Sequence, residues 1–206
     1  MKHCLSAMVA SLTLAGCAHV PTQTDSVQTD GLSFEQRRAA LEALPGWEMR
    51  GRLAVDTGER AYQARFLWRQ QSDRLLLSLR GPFGAGAVEI SGSDDALTVR
   101  RSGEQYDLAD PETQLSEMLG WWLPVASLND WLLGLPDRLF AADSEAQSDG
   151  TLSWLEQRLW RLDYVAYERS EEWLLPRRIE MNHERLHLRL TVDTWRPVTA
   201  SGQLLN

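Results

Sequence analysis

Trp47-Glu48-Met49-Arg50-Gly51-Arg52-Leu53-Ala54-Val55 is the stretch whose reading decides the fold. Trp47, Met49, Gly51, Leu53 and Val55 fall on one face and Glu48, Arg50 and Arg52 on the other, the period of two that marks a half-buried antiparallel strand. After a turn at Asp56, Thr57 and Gly58 the pattern resumes. Tyr62, Ala64, Phe66 and Trp68 face one way, and Gln63, Arg65 and Arg69 the other. A further turn at 71–73 leads to a third strand begun by Leu75, Leu77 and Leu79.

Working outward toward the C-terminus, a glycine-rich loop at 81–86 precedes short strands at 88–90, 97–99 and 106–108, with turn residues at 92–95 and 102–104 between them. That spacing is a meander whose consecutive strands pair as hairpins. Two helices then interrupt it. Asp110 caps and Pro111 starts the first, which presents Leu115, Met118, Leu119 and Trp122; the second begins at Ser127 and presents Leu128, Trp131, Leu132 and Leu135 before Pro136. A polar loop at 143–150 returns the chain to strands at 152–155, 159–167, 174–181 and 186–192. Toward the N-terminus, Ser33 and Gln36 form a capping box for a helix that Pro45 and Gly46 stop, with Phe34, Leu41 and Leu44 on one face. The expected fold class is mainly β with α, a strongly curved antiparallel sheet that must bury two very apolar short helices.

Composition narrows the function. The 206 residues carry a net charge of -8; residues 1–16 hold one lysine and no carboxylate, so removing them leaves 20 basic against 29 acidic groups, a net -9. Nucleic acid is therefore not an expected partner. The two cysteines are Cys4 and Cys17, both in the N-terminal segment, so thiol catalysis, disulfides and cysteine metal sites are excluded from the folded part. Nine tryptophans suit either a core or a hydrophobic pocket.

The N-terminus reads Met1, Lys2, His3 and then an apolar run to Ala15, the layout of a secretory signal. It falls short of the roughly 20 apolar residues that a membrane-spanning helix needs. Leu14, Ala15, Gly16 and Cys17 resemble the lipobox of bacterial lipoproteins, in which the cysteine thiol receives a diacylglycerol and becomes the first mature residue. By the same resemblance Ala18, where an aspartate signals inner-membrane retention, implies sorting to the outer membrane, facing the periplasm. The expected organisation is a signal peptide at 1–16, a lipidated flexible tether at 17–32 and a single domain at 33–206.

No catalytic constellation emerges. His183 and His187 are four apart across a turn and a strand, poor metal-ligand spacing, and read as surface residues; His19 lies in the tether. There is no nucleophile elbow or dinucleotide fingerprint, and the 81–86 run leads into a strand and lacks the lysine of a phosphate loop. Carboxylates are scattered over polar faces, and nothing singles out a pair for glycoside hydrolysis. Neither an enzyme nor a metal or cofactor is expected.

The order of features is similar to the LolB family of outer-membrane lipoproteins. The resemblance rests on Gly51-Arg52-Leu53-Ala54-Val55, Phe66-Leu67-Trp68-Arg69-Gln70, Leu75-Leu76-Leu77, Gly81-Pro82-Phe83-Gly84 and Ser127-Leu128-Asn129-Asp130-Trp131-Leu132-Leu133-Gly134-Leu135-Pro136, and it weakens beyond Trp160. It implies an unclosed antiparallel β-barrel with a helical lid over a hydrophobic cavity. It implies a monomeric receptor that takes lipoprotein cargo from a LolA-like periplasmic carrier and inserts it into the inner leaflet of the outer membrane. The cavity wall would be Trp47, Met49, Leu53, Val55, Tyr62, Phe66 and Trp68 with Leu115, Met118, Leu119, Trp122, Trp131 and Leu132 from the lid; a dry core made of the same residues is the alternative. Phe83, flanked by Pro82 and Gly84, would be the membrane-inserting residue of its loop, unless it folds back beneath it. A non-catalytic accessory or lipid-binding lipoprotein is the second reading.

Overall fold

A computed structural model describes residues 31–82, 86–170 and 173–197. The expected signal peptide, Cys17, Ala18 and nearly all of the tether, together with Phe83 and Gly84, lie outside the described residues.

The first helix, α1 (Phe34–Glu42), starts at the predicted capping box: the Ser33 hydroxyl accepts from the Gln36 N–H and the Gln36 side chain accepts from the Ser33 N–H. The chain then passes into β1 (Gly46–Asp56), β2 (Ala61–Gln71), β3 (Arg74–Arg80), β4 (Ala87–Ser93), β5 (Ala96–Arg101) and β6 (Glu104–Leu108). Two helices follow, α2 (Pro111–Leu119) and α3 (Val125–Leu132), then β7 (Ala142–Ala146), β8 (Leu152–Gln157), β9 (Trp160–Ser170), β10 (Trp173–His183) and β11 (Leu186–Pro197).

All strands belong to one antiparallel sheet of order β6-β5-β4-β3-β2-β1-β11-β10-β9-β8-β7. β6 and β7 are its edges, so the barrel is unclosed. The first and last strands meet in the middle, where β11 carries an extra residue opposite Arg50 and Gly51. Such a bulge bends and twists the sheet locally. Gly51 is required there, because a Cβ would stand 2.1 Å from the Thr191 carbonyl oxygen and 2.9 Å from the Phe66 ring. Because the strands alternate in direction, the β1–β2, β3–β4, β5–β6, β8–β9 and β10–β11 connections all lie at one end of the sheet, called the rim below.

Three expectations need correction. The second inserted helix starts at Val125, not Ser127: Pro124 is its N-cap with no side-chain bond, while Ser127 is buried and donates to Asp137 at 2.7 Å. It also ends earlier, at Leu132, where Gly134 takes φ 77° and the Leu135 N–H reaches back to the Asp130 carbonyl. The polar stretch after 142 contains an edge strand, β7, whose residues are all exposed. With neither face buried it has no alternation to read, and its Asp143 and Glu145 suit an edge that must not pair further. Finally, His183 is not a free surface residue: its ring stacks on Trp160 at 5.1 Å and meets Trp122 at 5.7 Å.

Candidate functional site

Pairing registers place one apolar face across almost the whole sheet. Tyr106, Val99, Ile90, Leu77, Trp68, Met49 and Trp195 are successive partners in one row, and Val55, Leu188, Met181, Leu162 and Leu155 in another. Of the residues expected to line a cavity, Trp47, Met49, Phe66 and Trp68 are buried here, Leu53 and Val55 half-buried beside them. Tyr62, near the rim, is exposed. The opposite face is polar, and its deepest charge is Glu48, clasped by Arg50 at 2.9 Å and Arg69 at 2.6 Å.

The helices cover this face. Leu115 from α2 and Leu128, Trp131 and Leu132 from α3 are buried in the same core as the sheet residues, with Trp122 packed partly against it. Met118 and Leu119, at the end of α2, face outward and are exposed. Trp131 is the pivot of the packing. Its indole N–H donates to Gln157 at 2.8 Å, its carbonyl accepts from the Tyr164 hydroxyl at 2.9 Å, and its ring lies 6.4 Å from Trp160. A buried tryptophan that spends its one donor well adds large apolar area at little polar cost.

Polar groups hold the helices down, and they cluster at the β8–β9 turn. The Arg158 guanidinium donates to both Glu112 carboxylate oxygens, at 2.8 and 2.7 Å, and to the Ser127 hydroxyl at 3.1 Å. It also lies over the rings of Phe140, at 4.1 Å, and Trp122, at 5.0 Å. Gln157 beside it bonds Asp137 and Phe140 backbone groups. Sequence reasoning missed Arg158, since a lone arginine in a turn carries no motif. Asp130 on α3 is a second such residue: burial, reinforced by Asp137 and Glu42 and partly opposed by Arg38 and Arg138, pushes its carboxyl up to about 6.

Two open clefts flank this covered face. One of about 580 Å³ lies at the rim beside Gln157, Arg158 and Trp160; the other, about 200 Å³, lies between α1, α3 and the start of β1 and is lined by Leu41, Trp47, Asn129 and Asp130. Neither is the broad apolar hollow that acyl chains need; beneath the helices Met49, Trp131, Leu132 and Leu162 are each almost wholly buried. At the base of the β3–β4 connection on the rim the Gly81 N–H donates to the Gly86 carbonyl at 3.2 Å, and Pro82 is exposed. Among the described residues no group of His, Cys, Asp and Glu could hold a metal ion, and no helix is long and apolar enough to cross a membrane.

A family model described as "Outer membrane lipoprotein LolB" matches residues 45–195, from the first strand into the last. The chain belongs to the LolB family. Relatives carrying the name outer-membrane lipoprotein LolB include one from Nitrosococcus oceani, 36% identical over 95% of this chain and 98% of its own length, and one from Stutzerimonas stutzeri, 31% identical over 96% of each. Among solved structures, a LolA superfamily protein from Nitrosomonas europaea superposes with TM-score 0.54 at 10% identity, covering 82% of this chain and 94% of that one. A DUF1329 family protein from Desulfovibrio piger gives 0.52 at 8% identity, covering 80% and 90%. These distant likenesses share the LolB chain's fold, an open antiparallel sheet with helices against one face.

Proposed function

We propose that this LolB-family protein receives lipoproteins from a LolA-like periplasmic carrier and inserts them into the inner leaflet of the outer membrane. The observation that carries the proposal is the pairing of a sheet-wide apolar face with helices fastened over it by a few polar residues, most of them at one turn. A lipoprotein in transit must hide its acyl chains from water, at about 0.8 kcal/mol for each CH₂, which amounts to tens of kcal/mol for the chains together. A face that helices can cover or release supplies that shelter without covalent chemistry, and cargo moves down a gradient of affinity from carrier to receptor to bilayer. Trp47, Met49, Phe66, Trp68, Trp131 and Leu132 would meet the chains once the helices lift. Cys17 would carry the lipid anchor, Ala18 would direct it to the outer membrane, and Phe83, between Pro82 and Gly84, would enter the bilayer during delivery.

The near-complete burial of Met49, Trp131 and Leu132 by itself suits the second reading, an accessory lipoprotein whose surface docks another protein. Family membership, and the concentration of polar fastenings at the β8–β9 turn, favour the receptor. The test is transfer. A carrier loaded with radiolabelled lipoprotein is mixed with the protein and then with liposomes, and wild type is compared with Phe83→Ala and Phe83→Glu. Label should pass to all three proteins, and the variants should fail to deliver it to liposomes. If no label leaves the carrier, the accessory reading replaces this one.

A further inference from the structure

The β8–β9 turn presents a side chain that folding does not explain. Arg158 and Leu159 take φ of 50° and 63°, a pair of left-handed residues of the kind a two-residue hairpin turn reserves for Asn-Gly. Both carry large side chains, so the backbone is strained, and Leu159 is in addition 86% exposed. The segment that packs along this turn, fastened by Gln157 and stacked under Arg158, carries Leu139, 84% exposed, and Phe140, 42% exposed. Asparagine or glycine would be easier to fold at 159, and a polar residue easier at 139.

We infer that the Leu159 tip, with Leu139 and Phe140, is a second membrane-contacting point that enters the headgroup region of the bilayer during cargo delivery; this rests on the receptor reading above. Three observations point to a bilayer rather than a protein partner. The tip lies on the same rim as the β3–β4 connection, about 29 Å away along the sheet at six strand spacings. Two apolar points that far apart fix the rim against a surface, which one loop alone does not. Of the nearby charges, Arg158 pairs with Glu112 and Arg161 with Glu156 and Asp163, while Asp143 and Glu184 beside Leu159 are acidic and would be repelled by an anionic headgroup, which leaves apolar insertion as the means of contact. Chain length also permits it. The backbone of Leu32 and Ser33 lies against Gly150, in the β7–β8 connection at the end opposite the rim. The stretch from Cys17 to Gly31 can span up to about 50 Å and an 11-residue strand about 37 Å, so an anchored molecule can turn its rim to the membrane.

The test uses the full-length lipoprotein reconstituted in vesicles of phosphatidylethanolamine and phosphatidylglycerol. A fluorophore on Leu159→Cys should be quenched by lipids bearing headgroup nitroxides, and one on Ser148→Cys, at the opposite end, should not. Leu159→Gly removes the apolar group while relieving the strain. It should melt no lower than wild type and take cargo from the carrier at the wild-type rate, yet deliver it about tenfold more slowly, the factor that burial of one leucine commands. Wild-type delivery by Leu159→Gly, an unquenched label at 159, or a loss in acceptance rather than delivery would each overturn the inference, the last by assigning the tip to the carrier. If wild type itself takes no cargo, the receptor reading fails, and the quenching comparison still decides whether the tip meets lipid.

Discussion

Arg158 joins the β8–β9 turn to α2 through Glu112, to α3 through Ser127, and to the connecting segments through Trp122 and Phe140. Its side chain is 13% exposed and that of Glu112 28%, so the pair is shielded enough to matter more than a surface ion pair. Arg158→Gln leaves a half-buried carboxylate without its fork, at a cost of about 1–3 kcal/mol. Amide hydrogen exchange in α2 and α3 should therefore quicken about tenfold or more, with β1 and β11 unchanged; equal quickening everywhere would make Arg158 an ordinary stabiliser. Asp130 makes a second prediction. Its folded pKa of about 6 lies above the ordinary 3.8, so its contribution favours the folded state below that ordinary value and is lost as pH rises through 6. Asp130→Asn should match wild type in thermal melts near pH 4 and exceed it at pH 7, by on the order of 1–2 kcal/mol after allowing for partial exposure. A constant difference across that range would remove the carboxyl from the account.

At the scale of elements, what was legible in the sequence was whatever had one buried face. The Trp47–Val55 strand and its partner at Tyr62–Trp68 alternate because one side packs, and the Ser33 cap announces its helix through side-chain chemistry. The edge strand at Ala142–Ala146 packs on neither side, so its sequence reads as a loop. The helix at Val125 begins under a proline, and Ser127, which resembles a cap, is spent on Asp137 instead. Gly134 was the better signal for that helix's end. It sits at φ 77°, and a Cβ there would stand 2.9 Å from the Tyr167 hydroxyl, which itself bonds Leu152. Gly134→Ala should lower stability by more than the roughly 1 kcal/mol that the left-handed conformation alone costs, measurable as a fall in urea midpoint at constant slope. A neutral effect would mean that the Tyr167 contact yields without cost.

At the scale of the whole molecule, the sheet-wide apolar face was foreseeable from period and register, whereas whether it encloses a cavity or a filled core was not, because the same leucines and tryptophans serve both. In the structure Trp131 is wholly buried and the helices are fastened at Arg158. On the proposed function, acyl chains would reach this face as the helices move away and would replace side-chain contacts of similar energy, which would keep the exchange reversible and let cargo pass onward. The most direct measurement is to let a carrier hand over a lipoprotein bearing photoreactive acyl chains, irradiate the complex with the wild-type protein, and map the attached residues by mass spectrometry. Attachment should fall on Met49, Phe66, Trp68, Trp131 and their neighbours beneath the helices. Attachment confined to the outer polar face, or to none of the protein, would contradict a shelter between lid and sheet.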